Sequence, residues 1–225
     1  MTRSITHIIG GALSFVLAAC VAVAPAEGAT VLTFEGLGNL APIGNFYNGG
    51  AGGNLGISMS ANSLAIVDAD AGGSGNFGGE PSPSTVMFFL QGQAALMNVL
   101  DGFDTGFSFF YSAVNQPGSL QVFDGLDGTG NVLASLDLPV TPLNGAPDPS
   151  GAFSPFVPIG VAFDGIARSI AFAGVGDQIG FDNVTFGSVT PVDDQQRVPL
   201  PGSLILLAAG ALGVAALRRW RGQPG

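Results

Sequence analysis

Between Thr30 and Phe186 the chain is broken every few residues by glycine, proline, asparagine or aspartate, and this interruption most limits the folds open to it. An amphipathic helix needs an uninterrupted run with apolar positions three and four apart. No stretch in this region keeps that period. Short apolar or alternating segments recur instead, at 30–35, 57–60, 64–67, 85–90, 94–99, 106–112, 119–123, 132–138, 156–163, 168–173 and 178–186. Phe107, Phe109 and Tyr111 alternate strictly, which puts all three on one face of a strand. Only the run 94–100 leaves room for a short helix. The pattern predicts an all-β domain, a β-sandwich or jelly roll. The chain's 36 glycines and 15 prolines supply its turns, and its 17 phenylalanines supply bulk for a layered core.

Two glycine-rich stretches punctuate this series. DADAGGSGNFGG at 68–79 reads as a long loop, and DGLDGTG at 124–130 as a turn that makes 120–138 a hairpin. Neither is a phosphate cradle, because the chain has no lysine and no helical pattern follows either stretch. Neither carries the terminal bidentate glutamate of a helix-flanked calcium loop.

Charge narrows the partners. All 16 acidic residues lie between Glu27 and Asp194, a span whose one basic residue is Arg168, with Arg197 just beyond it. Such a surface repels the phosphates of nucleic acids and of anionic lipid headgroups, and it attracts cations. Nucleic acid is not an expected partner. The single cysteine, Cys20, and the single histidine, His7, both precede this span. A disulfide, a thiolate nucleophile, a His-dependent triad and the usual zinc sites are therefore not expected in the domain. Paired carboxylates can still hydrolyse glycosides. Glu80, Asp101 and Asp104 are the candidates, but they sit in turn-like contexts, and no catalysis is expected of them.

The ends carry a different kind of signal. Arg3 and His7 precede an apolar run over 8–24, and Ala24-Pro25-Ala26 offers the small residues that a signal peptidase reads before Glu27. Leu17-Ala18-Ala19-Cys20 is also similar to a lipoprotein box, in which Cys20 would be lipidated. The apolar run continues past Cys20, which favours ordinary cleavage. Near the other end, the 18 residues from Leu200 to Leu217 carry no charge. As a helix they would measure about 27 Å, close to the roughly 30 Å of a hydrocarbon core. Arg218, Arg219 and Arg221 follow, with Trp220 among them, which favours a cytoplasmic tail and an external domain.

Val198-Pro199-Leu200-Pro201, the apolar stretch holding Gly210 and Gly213, and the arginine cluster together resemble the PEP-CTERM sorting signal of Gram-negative bacteria. Leu200 stands where the family pattern has glutamate. The whole sequence then predicts a signal peptide over 1–26, a β-sandwich domain over 27–190, a linker over 191–198 and, by the resemblance, a sorting signal with a transmembrane helix over 199–225. The leader implies a secretion signal peptidase as a processing partner, and the resemblance an exosortase-type membrane protease. The domain would be held at the inner membrane by its C-terminal helix, then reach the cell surface or the extracellular space.

TFEGLG, GNFYNGG, IVDADAGGSGNFGGEPSPSTVMFF, VFDGLDGTG and IGFDNVTFG resemble the extracellular domains that accompany such signals. The run 179–186 is also similar to the last strand of carbohydrate-binding jelly rolls, in which a first-strand glutamate and a last-strand aspartate hold a structural calcium. Glu35 and Asp182 occupy the matching positions, which implies a Ca2+ site completed by backbone carbonyls. A sugar site needs an exposed ring, and within Phe46-Tyr47-Asn48 the loop-borne Tyr47 is the candidate, with Tyr111 the other ring considered. Phe107, Phe109 and Phe172 are expected in the core. Asn183-Val184-Thr185 matches a glycosylation acceptor but falls within a predicted strand, where it is incidental. The expected function is that of a non-catalytic structural protein of the cell surface or extracellular matrix. The alternative is a calcium-stabilised carbohydrate-binding module for exopolysaccharide.

Overall fold

The computed structural model describes residues 29–113, 115–141 and 152–193. The expected leader with Cys20, and the sorting-signal residues Val198, Pro199, Pro201, Arg218, Arg219 and Arg221, lie outside the described residues. Among those described, no helix is long and apolar enough to cross a membrane.

The described residues form two antiparallel sheets. One is ordered β11 (Val157–Ala162), β8 (Gly106–Ser112), β13 (Gly180–Phe186), β6 (Thr85–Phe89) and β5 (Ser63–Val67), with β1 (Val31–Leu32) also paired to β13. The other is ordered β10 (Val132–Leu138), β9 (Gly118–Phe123), β12 (Ala167–Ala173), β7 (Ala94–Phe103) and β4 (Ile57–Met59). A small ribbon pairs β2 (Asn48–Gly50) with β3 (Gly53–Asn54). From β6 onward the chain changes sheet at every step except the β9–β10 hairpin, the alternation of a jelly roll.

The core lies between the sheets and is built from the predicted alternation. Phe107, Phe109 and Tyr111 of β8 point inward, and Phe172 of β12 meets them from the opposite sheet. The Phe172 ring centroid lies 5.8 Å from Phe109, 6.0 Å from Phe107 and 4.9 Å from Phe181, all edge-on. Edge-to-face pairs at such spacing stabilise beyond simple area burial, by about 0.5–1.5 kcal/mol each. The segment 94–100, open to a helical reading from sequence, is strand β7. Its alternate residues Ala95, Met97 and Val99 are buried against the core.

Strand β13 departs from simple alternation, and that departure positions the site. Phe181, Val184 and Phe186 all belong to the core although the first two are three residues apart. The register with β8 shifts between Asp182 and Thr185, and Asn183 has φ 45°. A bulge at this point adds one residue and resets the face, so that Val184 and Phe186 return to the core. Asp182 is fully buried at the break.

Elsewhere the structure trims or adds to the expected strands. The first was expected over 30–35 but is β-paired only at Val31–Leu32, because Phe34 takes a left-handed φ of 61° and ends it. The β2–β3 ribbon in the NFYNGG region was not expected, since its glycine-rich sequence carries no apolar alternation. The predicted 120–138 hairpin is β9–β10, with Asp124 accepting the Asn131 N–H at 2.7 Å across the turn. Pro191–Asp193, expected in a linker, lie against the first sheet. There Asn183 Nδ2 donates to Val192 O at 2.8 Å, and Val192 N donates to Thr185 Oγ1 at 3.2 Å.

Candidate functional site

The site grows from a seam in the first sheet. One edge of β13 is shared by two strands: β6 pairs with it at Phe181, and β1 pairs with it at Val184 and Thr185. Asp182 and Asn183 lie between those two pairings. Glu35 follows β1 by three residues, and residues 82–85 lead into β6, so three separate chain segments meet at the seam.

Their meeting point is the Ser82 hydroxyl. Ser82 Oγ lies 2.7 Å from Asp182 Oδ2, 3.2 Å from Glu35 Oε1, 3.1 Å from the Thr33 carbonyl and 3.5 Å from the Thr85 carbonyl. Backbone N–H groups complete the arrangement. Asp182 accepts from Ser82 N at 3.0 Å and from Asn183 N at 2.7 Å. Glu35 accepts from Ser84 N at 2.9 Å and Thr85 N at 2.7 Å, and from the Ser84 and Thr85 hydroxyls at 3.2 and 3.3 Å. Glu35 and Asp182, paired from the sequence, thus share one bridging atom although 147 positions separate them in the chain.

Burial holds the Asp182 carboxyl well above its ordinary range; the hydrogen bonds from Ser82 and Asn183 offset part of this, while the nearby Glu35 adds to it. Each acid also adjoins a residue with positive φ, Phe34 before Glu35 and Asn183 after Asp182. A bulky residue in that region is a genuine outlier, and such strain gathers at functional sites. Asn183 Oδ1 is buried and has no hydrogen-bond partner.

The donor set suits a hard cation. Ser82 Oγ has a single proton, yet four acceptor oxygens lie within reach of it. Both carboxylates already draw on N–H and O–H donors from Ser82, Ser84, Thr85 and Asn183, and it is the all-oxygen chemistry of the cluster that matches a cation such as Ca2+. Among the described residues no three His, Cys, Asp or Glu side chains gather to hold a metal. Any shell here would combine Glu35 and Asp182 with Ser82 Oγ and the Thr33 and Thr85 carbonyls.

The other candidates do not join this cluster. Tyr47 is not the exposed ring expected of a sugar contact; it is 6% exposed and packs against Phe46 and Phe34. Its hydroxyl accepts the Phe34 N–H at 2.8 Å, and its pKa is pushed up to about 12, chiefly by burial. The loop-like sequence hid this because burial of the ring depends on its packing against Phe34, which is distant in the chain, as well as on Phe46. Tyr111 is likewise buried, and its hydroxyl donates to Pro139 O at 3.1 Å. Phe107, Phe109 and Phe172 lie in the core. Glu80 is buried in the loop before β6, whereas Asp101 in β7 and Asp104 in the following turn are exposed. Sequence reading missed Ser82, Ser84 and Thr85. The available signal was the polar run Ser82-Pro83-Ser84-Thr85 set immediately before the apolar β6.

Fold and site together define an all-β sandwich whose acidic pair is built into a seam between strands. No protein-family model matches the sequence, and none of the curated proteins does. Among solved structures, the K2 cleaved adhesin domain of Lys-gingipain is 12% identical over 71% of this chain and 99% of that one, with a TM-score of 0.45. A family 6 carbohydrate-binding module is 15% identical over 70% of this chain and 92% of that one, with a TM-score of 0.38. A family 43 arabinoxylan arabinofuranohydrolase from Bacillus subtilis is 16% identical over 56% of this chain and 24% of that one, with a TM-score of 0.34. Scores this low assign the chain neither a ligand nor a reaction.

Proposed function

We propose that this chain is an exported, non-catalytic structural module of the cell surface or extracellular matrix, with a divalent cation, Ca2+, stapling its sandwich at Glu35 and Asp182. The observation that carries the reading is the Ser82-centred cluster. It ties three chain segments together and leaves Asp182 and Ser82 fully buried, so its geometry serves stability better than turnover. The acidic, lysine-free span adds a diffuse capacity for divalent cations, through which the domain would bridge anionic exopolysaccharide. Export by a signal peptidase, anchoring at the inner membrane and exosortase-type processing near Val198–Pro201 rest on the sequence resemblance alone.

Thermal melting of the full-length chain in Ca2+ and in EDTA tests the staple. Ca2+ should raise the melting temperature, and a Glu35→Gln, Asp182→Asn double variant should lose the response. Identical melting of the wild type in both conditions would sink the reading. Retention of the protein on host cells in EDTA tests the matrix role, and undiminished retention would count against cation bridging.

A further inference from the structure

Phe34 poses a physical problem. It is fully buried and contributes a large ring to the core, yet its backbone is left-handed at φ 61°. Glycine reaches that region freely, whereas a bulky residue there costs of order 1–3 kcal/mol. The conformation must therefore be held from outside, and one side chain is placed to hold it. Tyr47 Oη accepts the Phe34 N–H at 2.8 Å in the buried interior, and the two rings meet nearly perpendicular with centroids 6.1 Å apart.

Tyr47 is itself firmly anchored. Its carbonyl accepts the Leu55 N–H at 2.8 Å, and its ring is braced by Phe46 at 4.9 Å. A Cβ on Gly52 would collide with both rings, so glycine at this position allows the ribbon to press against them. The ribbon thus presents one fixed hydroxyl to the backbone of Phe34.

The turn that this hydroxyl holds has a consequence at the seam. A regular strand directs its carbonyls along the sheet and its side chains out of it. With Phe34 left-handed, the Thr33 carbonyl and the Glu35 carboxylate both reach the same Ser82 hydroxyl, at 3.1 and 3.2 Å. Two of the five oxygens in the cluster depend on the turn.

We propose that Tyr47 is a positioning residue for the cation site: its hydroxyl fixes the left-handed Phe34 turn and so aims Thr33 O and Glu35 at the metal position. The inference rests on the cation reading above and gives the buried ring a role other than sugar contact. The Tyr47 hydroxyl lies close enough to feel the charge of both acids but bonds to the Phe34 N–H, and it acts through that backbone.

The test is titration of Ca2+ alone into the full-length chain by calorimetry, comparing wild type, Tyr47→Phe and Tyr111→Phe. Each variant deletes one hydroxyl with one hydrogen bond, buried at Tyr47 and part-buried at Tyr111, and leaves the ring, so both should fold with an unchanged circular dichroism spectrum. Tyr111 lies apart from the seam, with its hydroxyl on Pro139 O, and controls for a general loss of core stability. Tyr47→Phe should weaken Ca2+ binding at least tenfold, while Tyr111→Phe should bind as the wild type does. Equal affinity in Tyr47→Phe and wild type would overturn the positioning role and leave the cation site standing. Equal weakening in both variants would reduce the effect to general destabilisation and overturn it too. No binding heat in the wild type would remove the cation site, and the positioning role with it.

Discussion

Replacing Ser82 by alanine probes the seam with little other disturbance. The side chain is small and fully buried, so its removal leaves almost no cavity, and the Ser82 N–H to Asp182 survives. What disappears is the bridging hydroxyl, above all its 2.7 Å bond to the Asp182 carboxylate. Hydrogen bonds to charged groups contribute about 1.5–3 kcal/mol. Asp182 would keep its two backbone donors, Ser82 N and Asn183 N, so it is not orphaned, and the cost should fall in the lower half of that range. We expect a loss of about 1.5–2 kcal/mol, equivalent to roughly 3–8 °C in melting temperature for a domain of this size. Urea unfolding in EDTA measures the hydroxyl bridge, and the same experiment in Ca2+ measures any contribution through a cation. A Ser82→Ala protein within about 0.5 kcal/mol of wild type in both conditions would refute the claim that this hydroxyl ties the three segments together.

Three further outcomes follow from the geometry. Phe172→Ala removes the ring that joins the two sheets and should cost about 3–5 kcal/mol in urea unfolding; a loss below about 2 kcal/mol would mean that the core collapses to fill the space. Tyr47 keeps its proton to about pH 12 in the folded state against 10.0 for the free side chain, so its contribution is intact below pH 10 and fades as pH rises toward 12. The loss should reach about 2–3 kcal/mol and be missing from Tyr47→Phe, and identical alkaline limbs in the two proteins would contradict it. A Cβ at position 160 would run into the Val189 carbonyl and Ser108, so Gly160→Ala should push residues 187–193 off the sheet and speed hydrogen exchange at the Val192 amide; unchanged protection there would show that the segment is held independently.

Much of the architecture was legible because strand period and turn chemistry are local properties. The Phe107-Phe109-Tyr111 alternation and the DGLDGTG turn each need only a few neighbouring residues to express their preference, and the structure realises both. The NFYNGG region misled for the same reason. Its composition reads as exposed loop, and burial of Tyr47 depends on a contact with Phe34, 13 positions earlier.

The sequence by itself determined an all-β domain rich in phenylalanine and strongly acidic, in a chain without lysine. The resemblance of 179–186 to the last strand of carbohydrate-binding jelly rolls singled out Glu35 and Asp182 as a pair. Only the tertiary structure decided how that pair is held. A bulge at Asn183, a left-handed Phe34 and the arrival of Ser82 bring together oxygens from residues 33, 35, 82, 85 and 182. Local pattern reports which face a residue takes on its own strand. It is silent on which distant segment arrives opposite, because that is set by sheet register and the packing of the whole core.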